Sequence, residues 1–68
     1  MGTENKYCYP NVAHDWSSLA DAEVNCSSNS DCSMFFDNCG VGEYRSCSAD
    51  ATIGTSGCSS MLYEKRNF

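Results

Sequence analysis

Basic residues are scarce in this chain: four Lys and Arg stand against nine Asp and Glu, a formal net charge of −5 over 68 residues. Without a positive patch there is no electrostatic footprint for nucleic acid or for an anionic lipid surface, and both partners are set aside. No apolar run approaches the roughly 18 residues that span a bilayer, so no membrane insertion is expected. The amino terminus, Met1-Gly2-Thr3-Glu4-Asn5-Lys6, lacks a hydrophobic signal core and carries Lys6 where a myristoylation motif requires Ser or Thr. The chain is therefore read as a mature domain freed of its signal, with residues 1–5 a disordered or expression-derived tail.

Large apolar side chains are also few. A chain of this length buries roughly 60% of the surface that it exposes when unfolded, which leaves room for one domain and a marginal core. The six cysteines, Cys8, Cys26, Cys32, Cys39, Cys47 and Cys58, supply the missing stability. An even number of cysteines in so short a chain is the composition of a disulfide-stapled extracellular domain. Zinc is the rival, but there is no C-x2-C pair, and His14 is the single histidine. None of the intervals between the cysteines is a finger or ribbon spacing.

Lys6–Tyr9 places Tyr7 and Tyr9 on one side of an extended segment and Cys8 on the other, and Pro10 ends it, as expected of a short edge strand. Asp15, Ser17 and Ser18 each qualify as the N-cap of a following helix, and Asp21, three residues after Ser18, makes a capping-box arrangement. Leu19, Ala22 and Cys26 share one face of that helix, with Ala20 and Val24 alongside and Asp21, Glu23 and Asn25 turned largely away, over about ten residues. Ser27–Asp31 reads as a polar turn. Met34-Phe35-Phe36 opens a strand whose consecutive Phe residues face opposite sides, so a helix over one leaves the other in need of a different cover. Asn38-Cys39-Gly40-Val41-Gly42 supplies turn chemistry, Glu43–Cys47 a second strand, residues 48–57 a loop, and Met61 to Arg66 a last alternating strand.

His14-Asp15 beside several serines suggests a Ser-His-Asp arrangement, but adjacent residues do not face each other usefully and no G-x-S-x-G elbow exists, so no catalytic residue is assigned. Asp37, Asn38 and Glu43 do not supply the alternating oxygen ligands of a calcium loop, and no metal or cofactor is expected. Asn25-Cys26-Ser27 fits the glycosylation acceptor pattern only formally. What remains is a binding surface: Tyr7, Tyr9, Tyr44 and Tyr63 with Arg45 and Arg66 offer aromatic and guanidinium groups, of which Tyr44, Arg45, Tyr63 and Arg66 are the candidate ligand-binding residues. Covering the sheet is the competing role for each tyrosine.

The Trp16 approach to a helix, the Ala22-Glu23 pair, Cys26, Asp31-Cys32, the Phe-rich strand and the terminal "SSMLYEK" together resemble the PAN/apple-like family, over roughly Cys8 to Lys65. The resemblance implies an α+β fold in which one short helix packs on a small curled antiparallel sheet. It also implies nested disulfides, Cys8 with Cys58, Cys26 with Cys47 and Cys32 with Cys39, one of 15 connectivities. The short connection from Cys32 to Cys39 is where the chain departs most from that family. The function implied is a secreted, non-catalytic module that binds an extracellular protein or a glycan. The alternative is a free-standing secreted signalling, pheromone or toxin-like peptide that acts on a receptor. The sequence leaves the oligomeric state open.

Overall fold

The computed structural model describes residues 2–65. The helix α1, Leu19–Ser28, begins where the side chain of Ser18 accepts a hydrogen bond from Asp21 N at 3.1 Å, while the Asp21 carboxylate accepts one from Ser17 N at 3.0 Å. One backbone donor of the first turn and one just before the cap are thereby satisfied, which settles the cap among its three candidates. Ala22 and Cys26 are fully buried, as their spacing predicts. Leu19, expected beside them, stays partly exposed, because Trp16 occupies the place over Phe35, ring edge to ring face at 6.1 Å, and Ala20 and Val24, expected alongside, face solvent.

Seven strands accompany the helix among the described residues: β1 Thr3–Glu4, β2 Lys6–Tyr9, β3 Val12–Ala13, β4 Met34–Asn38, β5 Glu43–Cys47, β6 Thr52–Thr55 and β7 Met61–Glu64. Five of them form an antiparallel sheet in the order β1-β7-β4-β5-β3, and β2 and β6 form a separate antiparallel ribbon. The result is a small α+β disulfide-rich fold. Residues 3 and 4, expected in a tail, pair with Leu62 and Met61. The expected loop of residues 48–57 contains β6, whose Thr52, Ile53 and Thr55 are good strand formers among Ser and Gly residues that read as turn.

Strand alternation divides the core in two. Phe35 faces α1, with Ala22, Cys26, Cys32 and Tyr44 buried around it and Trp16 and Tyr63 packed against them. Phe36 and Met34 face the other way, where Leu62, Cys8 and Cys47 are buried and Tyr7 of the ribbon closes over them. The second cover that Phe36 requires is thus the β2–β6 ribbon.

The nested cysteine pairing implied by the family resemblance does not hold at any of its three bridges. The disulfides are Cys8–Cys47, Cys26–Cys32 and Cys39–Cys58. Cys26 lies in the core on the helix side and Cys47 in the core on the ribbon side, so the sheet itself separates them. Cys32 and Cys39 flank β4, whose five extended residues span about 17 Å at roughly 3.3 Å each, beyond the reach of any disulfide. Cys26 instead meets Cys32, because the turn after the helix folds back: Asn29 N donates to Cys26 O at 3.2 Å and Cys32 N to Asn29 O at 3.0 Å. Cys8 in the ribbon lies over Cys47, which leaves Cys58 for Cys39. Chain-entropy arithmetic gives about 4, 2 and 3 kcal/mol for loops of 39, 6 and 19 residues taken singly.

Candidate functional site

Period-two alternation also decides where the candidate binding residues lie. In β5, Glu43, Arg45 and Cys47 face the ribbon, and Tyr44 and Ser46 face the helix side. Asn38 of β4 is directly across from Glu43, and Phe36 from Arg45. Arg45 therefore reaches a polar groove of about 410 Å³ between the ribbon and the central sheet, bordered by Tyr7, Asn11, Asn38, Ser56 and Ser60 with Phe36 at its base.

The polar groups of this groove hold one another in place. Arg45 Nη1 donates to Asn11 Oδ1 at 3.0 Å, and Asn11 Nδ2 donates to the carbonyl of Cys8 at 2.9 Å, so the guanidinium is tied to the ribbon backbone through one amide. Arg45 Nε lies 3.4 Å from Glu43 Oε1, and Asn38 Nδ2 donates to the same oxygen at 2.8 Å. The Asn38 hydrogen bond, then the Arg45 hydrogen bond and charge, hold the Glu43 carboxyl below the usual carboxylate range. Both charged side chains are partly exposed, so the pair orients more than it stabilises. Two of the five N–H donors of Arg45 are engaged in these bonds.

The other candidates do not join Arg45. Tyr44 is buried, and its ring meets Phe35 edge to face at 6.1 Å; Tyr63 stacks on Phe35 at 5.1 Å. Both belong to the core on the helix side. Burial, followed by the nearby charge of Asp37, pushes both phenols up from 10.0. Arg66 lies outside the described residues. Tyr7, Asn11, Asn38, Ser56 and Ser60 are groove residues that the candidate set lacks. The available signal was the spacing of Asn38, Glu43 and Arg45, which a tight β4–β5 hairpin brings onto one face.

A second concavity, about 370 Å³, opens beside β3 between His14, Asn29, Asp31 and Ser46. His14 Nε2 and Ser46 Oγ are 2.6 Å apart, and the imidazole stacks on Trp16 with the rings 3.9 Å apart and nearly parallel. A serine nucleophile needs a base that is itself oriented by a third group. Among the described residues the His14 ring meets Ser46 and an indole face, and His14 N donates to Tyr44 O at 3.0 Å, an arrangement that fastens the approach to the helix onto β5.

Asp37 Oδ1 accepts from Gly42 N at 3.0 Å, which commits it to the β4–β5 turn. No group of three or more His, Cys, Asp and Glu is arranged to hold a metal ion among the described residues. Nor is any helix among them long and apolar enough to cross a membrane. Asn25 has its amide tied to the carbonyl and carboxylate of Asp21, beside the buried and bridged Cys26.

Comparison with protein-family models, with curated proteins and with solved structures finds no match to this chain.

Proposed function

We propose that this chain is a secreted, non-catalytic binding module that takes its ligand in the groove at Arg45. The observation that carries this reading is the Asn11–Arg45–Glu43–Asn38 network beside Tyr7. It is a row of planar polar groups already fixed in position, next to an aromatic ring and above an apolar base. Pre-oriented donors and acceptors beside an apolar surface suit a ligand rich in hydroxyl groups, because little side-chain freedom remains to be lost on binding. A saccharide is the ligand class that this chemistry favours, and an extracellular protein is the other class. Three disulfides support placement outside the cell. The helix lying across an antiparallel sheet supports a PAN/apple-like origin.

One observation favours the second reading, a free-standing signalling, pheromone or toxin-like peptide that acts on a receptor. The cysteine pairing departs at every bridge from the nested pattern of the apple-like modules.

A glycan array probed with the oxidised chain, alongside Arg45→Ala and Asn11→Ala, tests the first reading. Binding that both substitutions weaken at least about tenfold, with the melting temperature within a few degrees, supports the groove. Absence of any glycan signal, or binding indifferent to both substitutions, contradicts it.

A further inference from the structure

The three disulfides occupy different environments. Cys8, Cys47, Cys26 and Cys32 are all at 3% exposure or less. Cys39, by contrast, is exposed in the turn between β4 and β5, and its partner Cys58 is half-buried.

Around Cys58 the structure places two hydroxyl groups. Ser56 Oγ is 3.2 Å from Cys58 Sγ and 3.1 Å from Ser60 Oγ. Ser60 Oγ accepts from Cys39 N and Ser56 Oγ from Cys58 N, each at 3.1 Å. A disulfide sulfur has no proton, so any hydrogen bond at Cys58 Sγ is one that a hydroxyl donates. Ser56 Oγ donates to Ser60 Oγ, which itself stands 3.7 Å from Cys58 Sγ, so two hydroxyl groups flank a single sulfur of the bond.

We propose that Cys39–Cys58 is a thiol–disulfide exchange site for small thiols, attacked at Cys39 with Cys58 as the leaving group. Exchange needs access to one sulfur and a stabilised thiolate on the other. Exposure provides the first at Cys39, and the Ser56 and Ser60 hydroxyls, which can turn their protons onto a thiolate, provide the second at Cys58. An incoming thiolate R–S⁻ forms a bond to Cys39 Sγ as the Cys39–Cys58 bond breaks. The electron pair leaves on Cys58, which then takes a proton from solvent. A second equivalent of R–S⁻ attacks the R sulfur of the mixed disulfide, giving R–S–S–R and the Cys39 thiolate. Two thiols are oxidised and one protein disulfide is reduced.

The fold tolerates this step. Both cores keep their own buried disulfide, and the segment carrying Cys58 remains attached through Asn5 N to Ser60 O at 2.7 Å and Ser56 N to Asn5 O at 2.8 Å. Ser56 and Ser60 also border the groove at Arg45, so exchange releases a covalent tie on one of its walls. The site itself does not depend on what the groove binds.

The test treats the oxidised, folded chain with excess cysteamine at neutral pH without denaturant. Free thiols are trapped with N-ethylmaleimide at successive times, and the modified cysteines are located by peptide mass spectrometry. Cys39 and Cys58 are expected to react at least about tenfold faster than the other four. Early in the reaction cysteamine is expected on Cys39 and maleimide on Cys58. Ser56→Ala, with an unchanged circular dichroism spectrum, is expected to slow the exchange severalfold. Reaction of all six cysteines together, cysteamine mainly on Cys58, or a rate indifferent to Ser56→Ala overturns the proposal.

Discussion

Phe35 and Phe36 are covalent neighbours that lie in different hydrophobic cores, Phe35 under the helix with Trp16, Tyr44 and Tyr63, and Phe36 under the ribbon with Tyr7. Each ring holds one layer of the molecule onto the same strand. Phe35→Ala and Phe36→Ala are each expected to cost about 3–5 kcal/mol, much of the net stability of a small domain. Denaturant unfolding with disulfides intact checks this. Phe36→Ala is further expected to disturb the amide resonances of the ribbon while those of α1 persist, and Phe35→Ala to do the reverse.

Ser18 is the cap of the helix, and its side chain is the acceptor for Asp21 N. Ser18→Ala is expected to cost about 1 kcal/mol, seen as a melting temperature lower by about 4–8 °C. Asp15→Ala and Ser17→Ala are expected to change it far less, since the bond that Ser17 makes comes from its backbone N–H.

Tyr44 and Tyr63 give stability a defined response to alkali. Burial pushes their phenols above 10.0 in the folded chain, and unfolding returns them to that value. The folded state therefore holds the phenolic protons more tightly. Its advantage is fully present below pH 10 and is lost as the pH rises through the raised values. Rapid denaturant unfolding across this window is expected to show stability falling with pH, and Tyr63→Phe is expected to flatten the fall. Equal slopes for the two proteins contradict the assignment.

Glu43 behaves in the opposite sense. Its carboxyl is held below 4.5 by Asn38 and Arg45, so what the pair contributes is present above that value and fades as the pH falls through the lowered one. Because Glu43 is solvent-exposed, the expected readout is a carbon chemical-shift titration rather than a change in melting temperature. Asn38→Ala is expected to move the midpoint upward.

Much of the local structure was legible in the sequence. Ser18 and Asp21 marked the helix start, Ala22 and Cys26 its buried face, and the Phe35-Phe36 pair the need for two covers. The ribbon was harder to read, because Gly54 resembles a turn residue. Its place in a strand follows from Tyr7 and Tyr9, whose ring atoms lie 3.0 to 3.1 Å from where a β-carbon would stand, so a larger residue would press into both. The disulfide pairing was not legible, because it depends on which face of the sheet each cysteine takes, and a register shift of one residue reverses that. For the same reason Arg45 was found in the groove, whereas Tyr44, its neighbour in β5, was found in the core. The groove also draws on Asn11, whose position follows from the path between β2 and β3 and not from any local pattern.

The division of the core into two layers, each with its own buried disulfide, is tested most directly by a disulfide map. Proteolysis of the non-reduced chain at mildly acidic pH, followed by mass spectrometry of the linked peptides, is expected to give Cys8 with Cys47, Cys26 with Cys32 and Cys39 with Cys58. Recovery of Cys26 linked to Cys47, or of Cys32 linked to Cys39, would contradict it, because the first pair lies on opposite faces of the sheet and the second at opposite ends of one strand.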